Sequence, residues 1–89
     1  MDYHINPQEW EAILFFLENI PGLHTIKDKE LRRFIEGVGY LLRTGCQWRL
    51  LPYYYGHWRA LYKRFKLWSD RGIWRQLFST VQKIRILSL

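Results

Sequence analysis

The segment "GHWRALYKRFKLW", residues 56–68, most narrows what this chain can become. Trp58, Leu61, Tyr62, Phe65 and Trp68 follow the i, i+3, i+4, i+7 rule of an amphipathic helix. At 100° per residue, Arg59, Lys63 and Lys66 fall within roughly 60° of one another on the other side. One face requires a core; the other carries a cationic ridge.

Three more segments show the same period. Asn6 is a helix cap followed by Pro7 in the first turn, and Trp10, Ile13, Leu14 and Leu17 form the stripe behind it. "PGLHT" at 21–25 breaks this helix. A second helix starts near Asp28 with Leu31, Phe34, Ile35, Val38 and Leu42 on one stripe. Gly37 and Gly39 inside it each cost up to ~1 kcal/mol against Ala, which close packing against a neighbour would offset. Gly45 suits the left-handed position that ends a helix. "CQWRLLP" reads as one helical turn closed by Pro52, and "YYYG" turns the chain into the third helix. Gly72 ends that helix, and a fourth carries Trp74, Leu77, Phe78, Val81 and Ile84. The terminal run "KIRILSL" reads equally well as a helix end or a short strand. These stripes predict an all-α fold, a small bundle of about four helices with a helix-turn-helix-like arrangement. The core is expected at Trp10, Leu14, Phe34, Val38, Trp48, Trp58, Leu61, Phe65, Trp68 and Phe78.

The 89 residues allow one small domain, residues 1–89, near the lower limit for independent stability. Five Trp, six Tyr and five Phe offset the small size, because each buries a large area. A single cysteine, Cys46, excludes an intrachain disulfide and fits a reducing compartment. The longest apolar run, "AILFFL", is far short of a bilayer span, and "MDYHINP" lacks the cationic start of a secretory signal. The expectation from these features is a cytoplasmic protein without a membrane. Residues 1–40 carry four cations against seven acids, whereas residues 41–89 carry ten against Asp70 alone. Such a net-basic half implies an anionic partner. Nucleic acid leads, with anionic lipid or an acidic protein as alternatives.

In a helix-turn-helix the second helix enters the major groove and its N-terminal residues meet base edges. His57 and Arg59 are then candidate base readers, and Lys63 and Lys66 run out along phosphates. Arg43 and Arg49 flank the preceding connection and are candidate phosphate clamps. Arg49 has two alternatives, bonding helix-terminal carbonyls or stacking on Trp48. The bland reading of the third helix is a solvated amphipathic surface. The connection from Gly45 to Gly56 also exceeds the usual three- or four-residue turn. Arg64, between the stripes, is expected to pair with Glu36 or Glu30, and Arg75, Lys83 and Arg85 read as ordinary surface charge.

Catalytic constellations are missing from the pattern. Tyr53 to Tyr55 invite a tyrosine nucleophile, but His4, His24 and His57 are isolated from one another and from an arginine cluster. Cys46 with scattered histidines matches no metal spacing and reads as a small core residue. After residue 36 the only acid is Asp70, too few for a two-metal nuclease. No cofactor is expected.

The runs "YLLRTGCQWRLLP" and "WRALYKRFKLWSDRGIWRQLF" resemble the N-terminal domain of bacterial insertion-sequence transposases of the four/five superfamily. The family pattern is roughly L-R-T-G-C-x-W-R-x-L-P, then W-x-x-V/L-Y-x-R-F-x-x-W, then G-x-W-x-x-L/I. It is matched from Tyr40 to Phe78, with the rare Cys, Trp, Gly and Pro positions in place. The resemblance implies a helical domain that binds double-stranded DNA at the element's terminal inverted repeats, and with it a bacterial, nucleoid-associated location. It also implies a following RNase H-like nuclease domain with an acidic triad; the chain ends at Leu89 without one candidate triad residue, so no catalysis of its own is expected. Ala60 stands where Thr or Ser is frequent, which removes one polar contact. Two other roles stay open: a protein-interaction module pairing subunits through Tyr53–Tyr55 and Leu67, as a homodimer in synapsis, and a subunit completed by a separate transposase catalytic domain.

Overall fold

Asn6 opens the first helix as its pattern requires. Its side-chain oxygen accepts the Glu9 N–H at 2.8 Å, and its amide donates to the Glu9 carboxylate at 2.6 Å, with Pro7 in the first turn. The computed structural model describes residues 5–23 and 26–87, with side chains through Lys83. Four helices follow in order: α1 (Pro7–Glu18), α2 (Asp28–Thr44), α3 (Trp58–Asp70) and α4 (Ile73–Leu87). Two single 3-10 turns, Trp48–Leu50 and Tyr53–Tyr55, lie between α2 and α3. No strand occurs among the described residues, so the fold is an all-α bundle.

Glycines end the elements where the sequence places them. Gly45 at φ 70° returns its N–H to the Leu41 carbonyl, and Gly72 at φ 71° separates α3 from α4. The terminal run is helical through Leu87, and Ser88 and Leu89 lie outside the described residues, as do His4, His24 and Thr25.

Aromatic rings join α2, α3 and α4. Phe34 meets Trp68 edge-on at 5.0 Å, and Trp74 contacts Phe34, Phe65 and Trp68 at 5.6, 5.3 and 5.0 Å. Trp74 also donates its indole N–H to the Phe65 carbonyl at 2.9 Å, so its polar edge is satisfied inside the core. α1 packs on α4, and Trp10 crosses to α2 by donating to Asp28 at 2.8 Å. The carboxylate of Glu36, 3% exposed, accepts the Ile5 N–H at 2.7 Å, while Arg32 donates to the Ile5 carbonyl at 2.6 Å. A buried acid is tolerable because it ties down the backbone entering α1 and stands 3.7 Å from the Arg32 guanidinium.

The expected core is partly redistributed. Trp10, Phe34, Val38, Leu61 and Trp68 are buried, and Leu14, Trp48, Trp58 and Phe65 are half-buried against them, as is Cys46. Phe78 is 50% exposed and does not belong to the core. It stacks on Trp74 at 5.9 Å at the rim of a groove between α2 and α4, which leaves Leu42 on the opposite rim exposed as well. Tyr55 corrects the expectation in the other direction: it is 2% exposed, not part of an exposed tyrosine surface.

Gly37 explains Tyr55. A Cβ at position 37 would lie 2.9 Å from the Tyr55 Cβ and 3.1 Å from a Leu61 methyl. The glycine therefore lets the connection and the start of α3 rest directly on α2. Overpacking such a contact costs about 1–3 kcal/mol, more than the ~1 kcal/mol of helix propensity that alanine returns. Gly37→Ala is expected to lower the urea midpoint of unfolding; a raised midpoint would show that α2 and Tyr55 have room between them.

Candidate nucleic-acid interface

The exposed half of α3 is the centre of the basic surface. Leu61 and Trp68 bury one side of this helix, and Arg59, Lys63 and Lys66 are exposed on the other. None of the three makes an ion pair among the described residues, since Arg64 takes Glu30 at 3.3 Å and spreads over Phe34 at 5.2 Å. Arg64 therefore belongs to the structural side of α3, in the pairing expected with Glu30.

The N-terminus of α3 is built by its own cap. His57 is exposed, and its Nδ1 accepts the Arg59 N–H at 3.1 Å. Its ring stacks on Trp58 at 6.2 Å, and Tyr53 meets it edge-on at 6.0 Å. His57 thus fixes the first turn through Nδ1. The cap is geometric before it is chemical.

Trp58 gathers two of the expected residues. The guanidinium of Arg59 lies 5.5 Å from the Trp58 ring and that of Arg49 lies 5.6 Å from it. Arg49 therefore stacks on Trp58, not on Trp48, whose ring is occupied by Tyr62 and Phe65 at 5.5 and 5.3 Å. Arg49, His57 and Arg59 meet around one indole, with Lys63 and Lys66 continuing along the helix. Arg43 is placed elsewhere: it lines the groove between α2 and α4, beside Leu42 and Phe78.

Charge counting along the chain missed Lys27, Lys29 and Arg33. They belong to the net-acidic half, yet they line a cleft with Tyr53 and Tyr54. The neighbouring acids are already engaged: Asp28 holds Trp10, Glu30 holds Arg64, and Glu36 holds Ile5. Only the fold separates those engaged acids from the cations between them.

Among the described residues no three His, Cys, Asp or Glu side chains stand together as metal ligands, and no helix is long and apolar enough to cross a membrane. A family model described as "Putative transposase of IS4/5 family (DUF4096)" matches residues 5–78. The chain belongs to this family. The transposase match runs from the backbone held by Glu36 through Phe78, so it contains α3, both 3-10 turns and every residue of the basic surface described above. Comparison with curated proteins and with solved structures gave no match.

The cap can be tested apart from any ligand. His57→Ala removes the acceptor for the Arg59 N–H and is expected to cost about 1 kcal/mol of stability, while His57→Asn restores a capping oxygen and recovers most of it. Urea unfolding reads both. Equal losses in the two variants would mean that stacking on Trp58, not capping, is what His57 contributes.

Proposed function

We propose that this domain binds double-stranded DNA for a transposase, at the terminal inverted repeats of the insertion sequence, and contributes recognition without nuclease chemistry of its own. One observation carries the reading. The exposed face of α3 presents Arg59, Lys63 and Lys66 in a row without acidic partners among the described residues, while its opposite face is anchored by Leu61 and Trp68. A rigid helix with a free cationic face suits a major groove flanked by phosphates.

In this reading α2, the connection and α3 form an extended helix-turn-helix, with α3 entering by its N-terminus. Arg59 offers a bidentate fork to guanine, and His57 adds a ring nitrogen to the same base edges. Lys63 and Lys66 are flexible point charges suited to phosphate, and Arg49 clamps a phosphate beside Trp58. Arg43 is assigned a flanking phosphate at the margin of the footprint. The exposed apolar groups Leu42, Leu67 and Phe78 favour a second role, pairing of subunits or docking of a catalytic domain. Association driven by that surface would be insensitive to salt, unlike DNA binding.

Selection from a random DNA pool first supplies the preferred sequence. With five cations at the duplex, Arg43, Arg49, Lys63 and Lys66 on phosphates and Arg59 in the groove, log K is expected to fall with log salt at a slope of about −4 to −5. Arg59→Ala should cost ~1–3 kcal/mol on the selected sequence and little on random DNA. Lys63→Ala should weaken both alike and reduce the slope by about one unit. A flat salt dependence, or no motif recovered from the pool, would contradict specific duplex recognition.

A further inference from the structure

A cleft of about 350 Å³ lies between the start of α2 and the second 3-10 turn, outside the face of α3. Lys27, Lys29 and Arg33 supply its charge, and Tyr53 and Tyr54 supply its rings. Lys27 and Lys29 make no ion pair among the described residues, and the cleft's single acid, Glu30, is turned to Arg64 at 3.3 Å. Arg33 is held over the Tyr54 ring at 5.3 Å, which orients its planar donor group. Tyr53 is 79% exposed and is braced at its edge by His57. A large aromatic ring left open to water beside three cations suits a ligand that is both anionic and planar.

We propose that this cleft holds an unpaired nucleotide, its base stacked on Tyr53 and its phosphate on Lys27, Lys29 and Arg33. Paired bases in a duplex bury their faces against each other and leave a tyrosine ring nothing to stack on, whereas an unpaired base offers its face to any aromatic platform. Stacking platforms among cations are how proteins hold single strands without reading sequence. The cleft is also continuous with the proposed duplex site, because Tyr53 contacts His57 at the cap of α3. A strand that leaves the duplex near the N-terminus of α3 therefore meets Tyr53 next. The inference rests on the duplex reading for this relative placement only.

The test is fluorescence anisotropy with the full chain and three probes: a blunt duplex of the selected sequence, the same duplex with a short thymine overhang, and the thymine strand alone. The overhang is expected to tighten binding roughly tenfold. Tyr53→Ala should abolish that gain and leave blunt-duplex binding unchanged, and Tyr53→Phe should keep it, since stacking needs the ring and not the hydroxyl. Lys29→Ala combined with Arg33→Ala should also reduce the gain. No preference for the overhang, or a preference that survives Tyr53→Ala, overturns the cleft. Loss of the gain in Tyr53→Phe as well would assign the hydroxyl a phosphate contact and overturn stacking. If the blunt duplex fails to bind while the overhang and the single strand still bind through Tyr53, the duplex reading falls and the cleft stands.

Discussion

The close approach at Gly37 is the contact on which the arrangement of this domain depends. A missing side chain on α2 admits the Tyr55 ring and the Leu61 methyl, which fixes both the end of the connection and the beginning of α3. From that point the chain has little freedom. Gly56, at φ 123°, adopts a conformation open to glycine and turns directly into the His57 cap, and a Cβ there would lie 2.8 Å from a Leu61 methyl. Tyr55 faces inward while Tyr53 and Tyr54 face outward, so one short turn both locks the fold and presents two rings to solvent. The long connection is therefore a built element, unlike the short turn of a simple helix-turn-helix.

The second organising feature is how charge is allocated. Three acids of α2 have partners within the fold, an indole N–H for Asp28, a guanidinium for Glu30 and the backbone of Ile5 for the buried Glu36. The cations beside them are left facing water, and they join those of α3 around the tyrosine turn. Of these acids only Glu36 is buried, so the overall net charge of +6 is distributed unevenly over the surface, with its excess on α3 and the turn before it. Rings serve the same end: Trp58 orients Arg49 and Arg59, and Tyr54 orients Arg33, which reduces the side-chain freedom that a binding event would otherwise remove.

Much of this was legible in the sequence. Helix starts and ends at Asn6, Gly45 and Gly72 follow from local backbone chemistry, and the stripes of α2 and α3 follow from their period, so the all-α bundle is reached without tertiary information. The transposase resemblance rests on the connection and α3, and the family match extends over both. Periodicity gave less where burial depends on a neighbour's shape. Phe78 has the spacing of a core residue, but the groove between α2 and α4 does not close over it. Tyr55 reads like its two neighbours, and only the vacancy at Gly37 distinguishes it. Lys27, Lys29 and Arg33 were hidden by the acids interleaved with them, whose partners lie far away in sequence. Arg49 was read first as a phosphate clamp, with stacking on Trp48 as one alternative; the ring it reaches is Trp58, because the fold of the 3-10 turns decides which indole lies within its range.

The central claim is that the outward face of α3, with its His57 cap, forms the duplex-binding surface. Amide chemical-shift mapping during titration with duplex DNA of the selected sequence tests this most directly. The account predicts the largest changes at His57, Arg59, Lys63 and Lys66, with smaller ones at Arg49 and almost none at Ile13, Leu77 or Val81. Changes concentrated instead at Leu42, Phe78 and the groove between α2 and α4 would contradict it.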